Sequence, residues 1–174
     1  MLYYGIPNYR LPKDRLAEDI QNILATGVET KMNTCIGDGD GEISFKMLKE
    51  NYDAVYVSIG AHTDKKLGIP GEDAKGVISA IQMLRDIGDG NPPDFTGKNV
   101  IVVGGGNVAM DATRSAIRLG AKNVSVMYRR RKADMTALMD EIEAAIAEGA
   151  EILELHAPQA IETNKKRTGN CYGC

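Results

Sequence analysis

The sequence predicts an α/β protein built on a parallel β-sheet, and two observations carry that expectation. Past residue 98, apolar β-rich stretches (99–103, 123–128 and 151–156) alternate with helical stretches, the order that produces βαβ units. The first strand passes straight into the next helix through a glycine turn, "VVGGGNVAM". With 43% hydrophobic residues over 174 positions there is ample material for a globular core.

Taken in order, "LPKDRLAEDIQNILATG" sets Leu16, Ile20, Ile23 and Leu24 on one helical face, with Pro12 at the start and Gly27 as the stop. "VETKMNTCI" then reads as a strand, with Cys35 a small core residue near its end. "GDGDGEISF" imitates a calcium loop. Aligning Asp38, Asp40 and Gly41 to that pattern, however, leaves Ile36 and Met47 where the first and last carboxylates belong, so it reads as a plain hairpin or loop. A short helix over 45–50 precedes "YDAVYVSIG", whose alternation predicts a buried strand ending at Gly60.

The polar "AHTDKKLGIPGEDAKG" is a loop, and a helix follows over 79–87. "GDGNPPDFTGK" is the most obvious linker, and a domain boundary is expected there, dividing residues 1–97 from 98–174. Beyond it come strand 99–103, helix 107–119, strand 123–128, helix 134–147 and strand 151–156.

Charge and cysteine content exclude several classes. A net charge of −3, from 21 basic and 24 acidic residues, gives no general attraction to nucleic acid or anionic membrane. No apolar run is long enough to span a bilayer, and 1–12 carries no leader pattern, so a cytoplasmic protein is expected. Cys35, Cys171 and Cys174 make no disulfide framework, and the C-x-x-C of the last pair lacks a thioredoxin-like helix start or a second ligand pair. Two histidines, His62 and His156, leave no metal cluster and little scope for a histidine-based catalytic set. His62 follows the Gly60 strand end and reads equally as a residue near a cofactor or as an ordinary loop histidine.

Gly104, Gly106 and Ala109 fit G-x-G-x-x-A between a strand and a helix, the context that gives this fingerprint meaning. Gly104 permits the tight turn, Gly106 lets a diphosphate approach the backbone, and Ala109 lets the helix pack closely on the sheet. The phosphates then meet the helix N-terminus. The fold class is therefore expected to be Rossmann-like, although a glycine turn in another α/β fold would read the same way.

Arg129, Arg130 and Arg131 close the second strand. Arg129 stands 20 residues past Ala109, where an acidic residue would bind the adenosine ribose hydroxyl of NAD, and no acid stands there. Guanidinium groups bind a 2′-phosphate through charge-assisted hydrogen bonds, so the pattern favours NADP over NAD. A solvated basic face or a nucleic-acid patch is the alternative for 129–132. Asp111 faces either the nicotinamide or Arg114 three residues on, while Glu141 and Glu143 read as solvated.

"GIPNYRLPKD", "AVYVSIGAHTDKKLGIPGED", "GGGNVAMDATR" and "YRRRKADMTALMDEIEAA" together resemble the central part of the glutamate synthase small subunit and related FAD- and NAD(P)H-dependent oxidoreductases. These include the pyridine-nucleotide half of dihydropyrimidine dehydrogenase, and "GNVAMDATR" is also similar to adrenodoxin reductase. The likeness runs from Leu2 to Glu162.

It implies a flavoprotein in which NADPH passes a hydride to FAD and electrons leave through iron–sulfur clusters to a further subunit or domain. Gly104, Gly105, Gly106, Asn107, Val108 and Ala109 would line the NADPH diphosphate and ribose. Arg129 and Arg130 would hold the 2′-phosphate, and Gly60 would mark the crossover from FAD domain to NADPH domain. Thr136 departs from the pattern, standing where the family usually has proline. Residues 1–97 would be part of the FAD domain and 98–174 part of the NADPH domain, a fragment incomplete at both ends and inactive alone. Its open sheet makes self-association an expectation. A free-standing nucleotide-binding or regulatory module is the alternative.

Overall fold

The computed structural model describes residues 1–37, 39 and 43–163, together with the backbone of 171–173. The calcium-like residues Asp38, Asp40, Gly41 and Glu42, and Cys174, lie outside them. By packing, the chain falls into two compact units, residues 1–13 with 62–174, and residues 14–61. The linker at 88–98 lies inside the first.

That unit is an α/β layer on a parallel sheet. Strand β1 (Asn99–Val103) pairs with β2 (Asn123–Tyr128), and β2 with β3 (Glu151–Glu154), in the order β1-β2-β3. Three helices of this unit are α3 (Ala80–Gly88), α4 (Asn107–Arg118) and α5 (Met139–Ala147), with α4 packed on β1 and β2 and flanked by the other two. Alternation explains the faces of β1. Val100 and Val102 pack against the core, while Ile101 and Val103 stay exposed on the far side.

The core has two parts. Ala109, Met110, Val126, Ile142 and Ala145 are buried where α4 and α5 meet the sheet, and Met83, Phe95, Ala112, Ala116 and Val124 where α3 and the linker do. Helix α3 starts at Ser79, whose hydroxyl accepts from the Gln82 N–H and satisfies a donor that the first turn would leave orphaned.

The α4–α5 region differs from expectation at one end. The single helix expected over 134–147 is a 3₁₀ turn (Lys132–Asp134), an extended stretch and then α5. The stretch is held out of helix because its N–H groups are taken by the glycine turn. Ala137 donates to the Gly105 carbonyl at 3.0 Å, and Leu138 to Asn107 Oδ1 at 3.0 Å. Strand β3 is shorter than expected. Leu155 turns into positive φ (58°), and it and His156 donate to the carbonyls of Arg130 and Tyr128.

Strand β4 (Ile161–Thr163) pairs antiparallel with β5 (Cys171–Gly173), a pairing the sequence did not signal. Among the described residues no helix is long and apolar enough to cross a membrane.

The second unit contains most of α1 (Lys13–Leu24) and all of α2 (Phe45–Asn51), where Ser44 caps α2 through the Met47 N–H. On α1, Leu16 is buried but Ile20 and Ile23 are exposed. Two expected strands are not formed here. Residues 28–36 contain a turn through Asn33 (φ 52°) and only a single bridge, Ile36 to Ile43, so Cys35 is exposed rather than a core residue. Residues 53–60 form no strand among the described residues, and Tyr56 is 92% exposed. Alternation and β-branching favour an extended chain, but a strand forms only beside a partner, and among the described residues none lies alongside.

Candidate functional site

The glycine turn joins β1 to α4. Gly104 has φ 143°, a conformation that strains any residue with a Cβ, and its N–H donates to the Met127 carbonyl, which continues the parallel pairing one step past the strand. Gly105 has a different requirement. A Cβ there would fall 2.6 Å from the Tyr128 ring, so the missing side chain lets that ring lie on the turn. Gly106 has ordinary φ (−99°) and is the N-cap of α4; lacking a side chain, it leaves the helix start without a side-chain cap. Apart from the adjoining backbone, a Cβ on Gly106 would have one neighbour within 4 Å among the described residues, Thr136 Oγ1 at 3.5 Å. Ala109 is buried in the core, as its expected packing role requires.

This arrangement can receive an anion. The start of a 12-residue helix carries partial positive charge and unsatisfied N–H groups, and the Gly106 face is open. Tyr128, whose ring covers Gly105, is the last residue of β2, so the arginine turn begins directly beside the glycine turn. Its hydroxyl donates to the Asp134 carbonyl at 2.9 Å and ties the arginine turn closed.

The arginines of this protein divide sharply. Arg10, Arg15, Arg85, Arg114 and Arg118 each pair with a carboxylate. Arg129, Arg130 and Arg131 are exposed, and among the described residues none makes a salt bridge. Three adjacent guanidinium groups that make no salt bridge among the described residues repel one another and are suited to a multiply charged anion, although the Asp134 carboxylate accepts from the Arg131 backbone N–H at 3.3 Å.

A second polar cluster lies on the outer side of α4, and the sequence reading missed it. Asp111 is buried and accepts from Arg10 Nη1 through both oxygens at 3.0 Å, while Arg114 bonds other carboxylates. Arg10 Nε also reaches Glu141 Oε1 at 3.2 Å. Arg114 bonds Glu141 and Glu148, at 2.8 and 2.9 Å, so Glu141 is a bridging residue rather than a solvated one; Glu143 is exposed.

The guanidinium groups of Arg114 and Arg118 stand over the Tyr9 ring at 4.4 and 4.1 Å. Burial, with Asp111 nearby, pushes the Tyr9 hydroxyl up to about 12; it is sealed from solvent beside Ser115 without a well-formed hydrogen bond. The cluster fastens residues 1–13 to α4 and α5. The only available signal was the mixed charge of the two helices, which does not say which acid meets which base.

Gly60 lies in the second unit, at the end of the stretch that forms no described strand, with φ 69°. His62 is an exposed loop residue. Among the described residues no group of His, Cys, Asp and Glu is placed to hold a metal ion.

A parallel βαβ unit with a glycine turn at the helix start defines a dinucleotide-binding domain of the Rossmann class. The family model described as pyridine nucleotide-disulphide oxidoreductase matches residues 3–167, and the chain belongs to that family. Among curated relatives, it is 43% identical to the NADP(+)-dependent formate dehydrogenase subunit beta of Moorella thermoacetica, over 99% of this chain and 24% of that protein. It is 33% identical to the glutamate synthase [NADPH] small chain of Escherichia coli K12, over 94% of this chain and 36% of that one. The chain thus spans well under half the length of these relatives.

In three dimensions it is similar to Mycobacterium tuberculosis FprA, solved in complex with NADPH. The TM-score is 0.64 at 21% identity, covering 85% of this chain and 38% of FprA, a likeness that shows the fold. The resemblance to the glutamate synthase small subunit and the Rossmann-like fold class both hold.

Proposed function

We propose that this chain is the NADPH-binding part of a flavin-dependent oxidoreductase. The observation that carries the reading is the cluster Arg129, Arg130 and Arg131 beside the glycine turn, which makes no salt bridge among the described residues while the other described arginines all do. The named relatives, NADP(+)- and NADPH-dependent by their descriptions, support it.

The residues fit the cofactor. Gly104 and Gly105 shape the turn, Gly106 leaves room for the diphosphate, and the backbone at Asn107 and Val108 presents the helix start to it. Ala109 keeps α4 close to the sheet. Arg129 and Arg130 take the 2′-phosphate through charge-assisted bonds, which offsets their mutual repulsion.

When bound, NADPH supplies a hydride to FAD, a cofactor we infer from family membership. The chain contributes orientation and electrostatics rather than an acid or base. By function, residues 1–97 belong with the flavin domain and crossover, including Gly60, and residues 98–174 with the NADPH domain. The chain is then a central segment of a longer enzyme of the glutamate synthase small-subunit type, passing electrons through iron–sulfur clusters to a partner subunit or domain, and inactive by itself. Calorimetric titration tests the binding. NADPH should bind with an affinity at least about tenfold above that of NADH, the worth of one or two charge-assisted contacts. Equal affinities, or none for either, would refute the reading.

A further inference from the structure

We infer that Thr136 contacts the cofactor directly, its hydroxyl donating to a diphosphate oxygen seated over Gly106; this rests on the NADPH reading above. Three observations carry it.

The first is position. Apart from the adjoining backbone, Thr136 Oγ1 is the one atom of the described residues within 4 Å of where a Gly106 side chain would begin, at 3.5 Å. A phosphate oxygen resting on that open face comes within hydrogen-bonding reach of the hydroxyl. The second is availability. Thr136 is exposed, and among the described residues its hydroxyl has no hydrogen-bond partner, so no internal bond must break before it can donate. In contrast, the buried Thr113 spends its hydroxyl on the Ala109 carbonyl at 2.7 Å.

The third is rigidity. Thr136 stands between two anchored neighbours. Met135 is buried in the core, and Ala137 is buried and bonded to the Gly105 carbonyl. The next residue, Leu138, is bonded to Asn107. The segment therefore moves with the glycine turn, and ordering the hydroxyl against a ligand costs little further entropy. A hydroxyl bonded to an ionised oxygen is among the stronger hydrogen bonds.

The consequence separates Thr136 from the arginines. Its contact is with the diphosphate, whereas theirs is with the 2′-phosphate. Calorimetric titration of NADPH and of 2′-AMP, which carries the 2′-phosphate but no diphosphate, against the full chain and its variants distinguishes the two.

Thr136→Val, which keeps the β-branch and removes the hydroxyl, should weaken NADPH about tenfold and leave 2′-AMP unchanged. Thr136→Ser should bind NADPH nearly as the unaltered chain does, and all three proteins should melt at the same temperature. If Thr136→Val binds NADPH undiminished, or loses NADPH and 2′-AMP equally, the inference is overturned while the NADPH reading stands. Failure of the unaltered chain to bind NADPH overturns both.

Discussion

Gly105 is a residue of the glycine turn at which one added methyl group is costly. Its Cβ would sit 2.6 Å from a ring carbon of Tyr128 and 3.0 Å from Met135 Cγ, and that ring is fixed in turn by its bond to Asp134. Gly105→Ala should lower the unfolding free energy by about 1–3 kcal/mol, the range for overpacking; urea denaturation measures it, and an unchanged midpoint would show that the ring is free to move. The Asp111 and Glu148 carboxyls respond to pH in opposite senses. Hydrogen bonding from Arg118 and Arg114 holds Glu148 below its ordinary value, so its stabilisation is present above that value and is lost as pH falls through the lowered one. Burial raises Asp111 despite Arg10, so its contribution declines as pH rises from the ordinary aspartate value to the raised one. Glu148→Gln should therefore flatten the acid limb of a stability-against-pH curve, and a curve of unaltered slope would contradict the assignment. At this scale the sequence was informative where a requirement is local. Gly104 and Ala109 were legible because a turn and a close helix impose them at fixed spacing. Arg10 with Asp111, 101 residues apart, was not, because nothing local says where residues 1–13 will lie.

At the level of elements, β1, β2 and α4 were legible nearly to the residue, since the apolar β-rich stretches and the glycine turn between strand and helix mark the same boundaries. Helix α5 was not, because its start is set by a group 31 residues away, Asn107 Oδ1, which accepts from the N-cap residue Leu138. Asn107→Ala should cost about 1 kcal/mol, the worth of one such bond, and should raise hydrogen exchange selectively in the first turn of α5. Asn107→Asp, which keeps an acceptor, should retain most of the protection. Uniform exchange across both variants would mean that α5 begins there for other reasons. The stretch 53–60 shows the converse. Its alternation is real, but pairing is a property of the sheet rather than of the segment.

For the whole molecule, the sheet is open. Among the described residues β1 pairs on one side only, and Ile101 and Val103 are exposed on its free face. Unsatisfied edges and apolar faces favour association, so sedimentation velocity should show mass rising with concentration in the micromolar range; a monomer at every concentration would count against it. On the proposed reading, the arginine turn after β2 takes the 2′-phosphate of NADPH. Titration of NADPH and NADH against the chain and against Arg129→Ala examines this at its root. NADPH should be clearly preferred, and the preference should shrink about tenfold in the variant while NADH affinity is unchanged. A preference that survives the substitution intact, or that never existed, would contradict it.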